Sequence, residues 1–306
     1  MCQFAVFDYM ESRQQIPVAF NILKKAPDFI WDWYIKKFNP LSVEKMDFDI
    51  ASGLSIKLPL EKNKRDEKNI GLSVGKALSS YPQIEIVRPL KDYSFCHCEN
   101  LKVSYGNYLF AFLAMQAIKK FIGVTKKDLS QLEIFIIDAN RTISQILLDT
   151  IYPHVNYLSV LITEKKDFFS QKQHEIFVDT GLNIQLLNFN KALISNADVI
   201  INTGVENNFE YAIKRNAIYF DLGGNPNSLI NLKIKRPDVF AIDNLNLSYG
   251  GKLIDTITLE MIFYCACKDF KKIISGKYAT NLFSSVKNKI DTADIKISSF
   301  QKGFCN

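Results

Sequence analysis

Glycine is missing from the one turn where the strand–turn–helix pattern of this chain calls for it. The 306 residues include 13 glycines, yet Asp138-Ala139-Asn140-Arg141-Thr142-Ile143-Ser144, which follows the strongest strand signal, has none. Cysteine is present but badly spaced for a metal. The 6 cysteines include Cys96-His97-Cys98 and Cys265-Ala266-Cys267, and neither gives C-x-x-C. The second pair lies in a helical run, where residues two apart point some 200° from one another. A thiol pair, or a site using Cys96, Cys98 and His97, stays open beside the reading of ordinary buried thiols. Only 3 histidines occur; His154 follows Pro153 and His174 lies on a charged helical stretch. There is no H-E-x-x-H. No apolar run reaches the length of a transmembrane helix, since Lys119-Lys120 stops the longest, Tyr108 to Ile118. The start lacks the pattern of a signal peptide, so a cytoplasmic location is expected, without disulfides. The net charge of +6 is spread over lysine pairs rather than one dense block. That argues against nucleic acid as a partner and leaves attraction to an acidic carrier protein open.

What is there is a series of short apolar runs. Leu132 to Ile137 is β-branched and aromatic, the composition of a strand buried on both faces of a parallel sheet. Tyr157–Thr163, Asn183–Leu187, Ala197–Gly204 (a strand with its loop), Ala217–Gly224 and Val239–Asp243 continue the pattern, with helical stretches such as Lys165–Thr180 between the early ones. This alternation predicts an α/β fold: a doubly wound, Rossmann-like parallel sheet. In such a sheet ligands sit beyond the carboxyl ends of the strands, so the loops at 138–142, 163–166, 202–206 and 223–227 should ring one crevice. Ahead of it, residues 1–106 read as a smaller α/β domain of substrate type. There 48–50, 54–58 and 84–87 alternate as strands, and 28–38 and 75–81 read as helices. Gly106-Asn107 then opens an apolar helix, 108–122. Residues 107–255 form the nucleotide-binding type of domain, and residues 256–306 are expected as helices packing back between the two, led by a second long helix after Asp255.

A resemblance is carried by Phe4-Ala5-Val6-Phe7, Leu23-Lys24-Lys25-Ala26-Pro27, Ser52-Gly53-Leu54-Ser55-Ile56-Lys57-Leu58-Pro59-Leu60, Ser104-Tyr105-Gly106-Asn107, Gly250-Gly251 and Thr258-Leu259-Glu260-Met261. In this order they resemble the long-chain acyl-(acyl-carrier-protein) reductases and their relatives described as predicted amino acid dehydrogenases, within the wider class of shikimate dehydrogenase-like two-domain proteins. The resemblance implies NADPH-dependent reduction of an acyl thioester to a fatty aldehyde through a cysteine-bound intermediate. It also implies a small-molecule or carrier-bound acyl substrate, with acyl carrier protein as a partner. The departures fall on the chemistry. Of G-A-T-G-x-I-G only Ala139 and Ile143 remain, and Arg88-Pro89-Leu90-Lys91-Asp92-Tyr93-Ser94 lacks the glycines of the family's substrate segment. If Glu260 matches the family's Glu, Ile257 stands where the nucleophilic cysteine belongs. An isoleucine cannot replace a thiolate.

The candidate cofactor residues are Asp138, Asn140, Arg141, Thr142, Thr163, Lys165, Asn202, Thr203, Gly204, Gly223 and Gly224. Arg141 offers a bidentate fork to phosphate, and Thr142 or Ser144 can cap the helix. Thr163, Lys165 and Lys166 favour the 2′-phosphate of NADP, while Glu164 suits a ribose hydroxyl instead. Asn107 and Lys57 are the candidates for polarising a carbonyl oxygen. No metal is expected. Two classes therefore stand: a diverged NADP(H)-linked oxidoreductase with altered chemistry, and a non-catalytic binding or scaffold protein on the same fold.

Overall fold

The structure is a computed structural model that describes residues 3–10, 25–38, 40–59, 67–90, 93, 95, 98, 101–125, 128–163, 167–206, 209–223 and 226–301. The chain divides into two compact units, Met1–Tyr105 with Glu260–Lys268, and Gly106–Leu259 with Asp269–Asn306.

The first unit holds β1 (Phe4–Tyr9), α1 (Asp28–Phe38), β2 (Ser42–Phe48), β3 (Ala51–Leu58), α2 (Glu67–Ser80), β4 (Ile86–Val87) and β5 (Lys102–Val103). Its five-stranded sheet has the order β2-β3-β1-β4-β5. β2 runs antiparallel to β3, and the other pairs are parallel. The β2–β3 turn takes Asp49 and Ile50, so the strand expected around 48–50 ends there. The core joins Phe7, Ile56 and Leu58 of the sheet to Ile70, Val74 and Ala77 of α2. Gly53 is required by its neighbour: a Cβ there would lie 2.3 Å from the Phe4 ring. The buried Ser104 hydroxyl donates to Glu260 Oε1 at 2.8 Å.

The second unit contains α3 (Asn107–Thr125), β6 (Glu133–Asp138), α4 (Arg141–Ile151), β7 (Tyr157–Ile162), α5 (Asp167–Thr180), β8 (Gln185–Asn188), β9 (Val199–Asn202), β10 (Ile218–Asp221), α6 (Pro226–Lys235) and β11 (Phe240–Ile242). Its six-stranded sheet has the order β11-β10-β9-β6-β7-β8, with every pairing parallel. Numbered within the unit this is 6-5-4-1-2-3, the doubly wound dinucleotide-binding order, whose direction reverses between β6 and β9. The fold is therefore a Rossmann-like, doubly wound α/β fold. Ile134, Ile136, Val160, Ile162, Val199 and Ile201 are all buried, as strands covered on both faces demand.

Beyond β11 the chain departs from expectation. β12 (Asn244–Tyr249) and β13 (Lys252–Asp255) form a hairpin, turned through Gly250 and Gly251 at positive φ. In place of one long helix come α7 (Thr256–Ala266), α8 (Lys268–Ile274) and α9 (Thr280–Thr292). A final strand, β14 (Lys296–Gln301), pairs with β12. The break after α8 is a Schellman ending: Gly276 is left-handed at φ 84°, its N–H bonds Ile273 O, and the Lys277 N–H bonds Lys272 O. Among the described residues no helix is long and apolar enough to cross a membrane.

Candidate functional site

The crossover between β6 and β9 brings two loops together. β6 and β9 pair from Ile134↔Val199 to Ile137↔Asn202, so the turn at Ala139 and Asn140 lies beside Thr203 and Gly204. The Thr203 hydroxyl accepts from both turn amides, Ala139 N at 2.8 Å and Asn140 N at 3.0 Å, and donates to Ile137 O at 2.9 Å. Asn140 is the helix cap. Its backbone is extended and its Oδ1 accepts from Ile143 N, which places the start of α4 at Arg141. Thr142 and Ser144, the caps expected from sequence, lie inside α4. The fully buried Ser144 hydroxyl turns back to Asp138 Oδ1 at 2.6 Å. Each of these side chains satisfies polar groups of the protein itself.

The neighbouring loops follow the same rule. Asn202, 1% exposed, donates to Val205 O and to the Tyr219 hydroxyl and accepts from the Gly204 and Val205 amides. That buried Tyr219 phenol is held far above the usual tyrosine range, first by desolvation and then by the Asp221 charge. Asp221 Oδ1 accepts from Gly223 N. Gly204 and Gly223 meet back to back: a Cβ on Gly223 would lie 2.9 Å from Gly204 Cα, so these glycines serve the close approach of two loops. Asn107, first residue of α3, donates its amide to Leu222 O and ties the helix start to the loop after β10.

Thr163 is exposed and donates to Asp138 O at 2.6 Å. Arg141 is exposed at the first position of α4, and Thr142 is half-buried. Lys165, Lys166, Glu164 and Gly224 lie outside the described residues, as do Cys96 and His97. Lys57 belongs to the first unit, half-buried on β3 in register with Asp8 and Ser42. Ile257 packs against Gly106, where a Cβ would come 3.1 Å from Ile257 N. Cys265 is half-buried and Cys267 buried. Among the described residues no group of three or more His, Cys, Asp or Glu side chains is placed to hold a metal ion.

One spacing escaped the reading by sequence. Gly71-Leu72-Ser73-Val74-Gly75 fits G-x-S-x-G, the pattern of a nucleophile elbow. It lies wholly inside α2, with Ser73 2% exposed, whereas an elbow needs a strand-to-helix turn that presents the hydroxyl. It is a packing pattern here. What sequence reasoning did not supply was the contact of Thr203, named among the cofactor residues, with the amides of the β6–α4 turn.

No protein-family model matches the chain, and no curated protein matches it. Among solved structures it is similar to L-tryptophan dehydrogenase from Nostoc punctiforme, at 10% identity over 95% of this chain and 81% of that one, with a TM-score of 0.36. Shikimate 5-dehydrogenase from Listeria monocytogenes, solved with shikimate and NAD, is 10% identical over 94% and 96% with a TM-score of 0.32. The 5-ketofructose reductase of Gluconobacter sp. strain CHM43 is 10% identical over 95% and 99%, at 0.34. The assignment of the fold rests on the strand order rather than on these overlaps.

Proposed function

We propose that this chain is a binding protein built on an oxidoreductase architecture, working without hydride transfer from a pyridine dinucleotide. One observation carries the reading: the Thr203 hydroxyl already occupies the Ala139 and Asn140 amides. In dinucleotide-binding proteins the backbone of this turn and the following helix N-terminus receive the pyrophosphate. Here Asn140 Oδ1 fills a third amide of the same stretch, Ile143 N. A diphosphate seated on these donors must displace three internal hydrogen bonds, each worth about 0.5–1.5 kcal/mol net. The sum, about 1.5–4.5 kcal/mol, weakens affinity by about one to three orders of magnitude. The residues present do not fit the cofactor in its usual seat. The chain's charge of +6 favours an acidic protein as partner, such as an acyl carrier or an enzyme that uses one.

The test is a titration of the purified protein with NADPH and NADH, followed by calorimetry and fluorescence. We expect no saturation below about 1 mM, given the loss of affinity above. Saturable binding in the low micromolar range would overturn the reading.

A second reading, the diverged NADP(H)-linked oxidoreductase, is favoured by the exposed Arg141 at the first position of α4. A guanidinium there can take a phosphate by its side chain where the backbone donors are occupied. On that reading Arg141→Ala abolishes nucleotide binding.

A further inference from the structure

Helix α1 presents aromatic rings on both of its sides. Its inner side is fixed by Trp31, 1% exposed, which packs with Met10, Tyr34 and Ile35. Its start is set by Pro27, whose carbonyl accepts from Ile30 N and Trp31 N. Phe29 and Trp33, four residues apart and so on one face, are 73% and 57% exposed, and Phe38 is 47% exposed at the helix end. The Lys37 ammonium lies 4.8 Å from the Trp33 ring centroid and 5.6 Å from that of Phe38. Single exposed apolar residues need no explanation, but large rings gathered on one short helix with a lysine across them do.

The helix carries both signs of charge, and Asp28 is itself exposed. Asp28 and Asp32 are engaged within the protein, while Lys37 and the flanking Lys25 are exposed. We propose that this face of α1 docks on an anionic phospholipid surface. Phe29 and Trp33 enter the boundary between headgroups and acyl chains, and Lys37 and Lys25 reach the lipid phosphates. Tryptophan suits that boundary because its ring is apolar while its N–H still finds a polar partner. A lysine laid along the rings keeps its stem in the apolar zone and its ammonium among the headgroups. The 11 residues of α1 span about 16 Å, too short to cross a bilayer and suited to lying in its plane. A lipid surface needs no matching groove, and none has to be assumed.

The molecule carries its own reporter. Of 2 tryptophans, Trp31 is buried and Trp33 exposed, so a change in emission reports Trp33. The full chain is sedimented with vesicles of phosphatidylcholine alone and of phosphatidylcholine with phosphatidylserine, and emission is recorded on the same mixtures. We expect co-sedimentation and a blue shift only with the anionic vesicles, weakening as salt is raised. Trp33→Phe should keep the binding and lose the shift. The double variant Phe29→Ser, Trp33→Ser should lose at least about tenfold in partitioning, and Lys37→Glu should lose a similar amount. Both change exposed positions, and an unaltered melting temperature shows that each is folded. Failure of the wild-type protein to sediment with anionic vesicles at low salt overturns the proposal. So does equal sedimentation by a folded double variant, and in either case the face is left to a protein partner.

Discussion

The two ends of the six-stranded sheet are built on different electrostatics. At the carboxyl end the loops are closed mainly by neutral side chains acting on backbone: Thr203 on the turn after β6, Asn202 on its own loop, and Asn107 on the loop after β10. At the amino end the same strands are braced by ion pairs. Lys214 meets Asp198 at 2.9 Å, Arg236 meets Asp238 at 2.8 Å, and Lys235 meets Glu210. The buried network is unforgiving, because a lost partner leaves a desolvated amide behind. The pairs at the other end lie partly in water, where screening and side-chain entropy reduce most of them to a fraction of a kcal/mol. Among the described residues the turn after β6 is thus satisfied by the protein itself, while Asp243, following β11 at the same end, keeps a buried Oδ1 without a hydrogen bond.

Thr203→Val is the sharpest way to break this contrast. It keeps the shape of the side chain and removes the acceptor for two amides and the donor to Ile137 O. Urea unfolding should show a loss of about 2–4 kcal/mol. In the folded fraction, any residual affinity for NADPH should rise rather than fall, since the turn donors are released. Next in size is Gly223→Ala, which drives a Cβ to 2.9 Å from Gly204 Cα. We expect a loss of about 1–3 kcal/mol by the same measurement.

At the amino end Glu210 gives a pH-dependent test. Its hydrogen bond from Lys235 holds its carboxyl below the usual glutamate range, against the opposing effect of burial. A depressed folded value means that the carboxylate stabilises the fold above the unfolded value, about 4.3, and that this contribution fades as pH falls through the folded value. The stability gap between wild type and Glu210→Gln should therefore be full near neutrality and close progressively below about pH 4.3. A gap independent of pH would show that the ion pair contributes nothing. The smallest effect is expected for Lys214→Ala, whose side chain is 46% exposed, at no more than about 0.5 kcal/mol. Arg141→Ala, at an exposed position, should likewise leave stability within about 0.5 kcal/mol.

Much of the sheet was legible because its strands are short apolar runs bounded by polar turns. Val160 and Ile201 could be assigned to a buried interior from their neighbours alone. Helix α1 was legible to the residue, because Pro27 precedes it and its apolar positions recur at helical spacing. The region after Ile242 was not. β12 and β13 alternate too briefly to stand out, and β14 is a strand only because β12 offers it an edge more than forty residues earlier. The break between α8 and α9 depends on a left-handed Gly276, and a lone glycine in a polar stretch does not announce its φ.

The same division runs through the site. Local sequence determined that a strand ends at Asp138, that a helix begins just after it, and that the turn between them lacks the glycines of a pyrophosphate seat. What occupies that turn was decided by tertiary structure. Thr203 lies 64 residues beyond Ala139 and reaches its amide only because β9 pairs in register beside β6. Hydrogen bonds within a turn are encoded by neighbours in the chain, whereas the partner of a buried amide at a strand crossover is set by which strand the sheet places next to it.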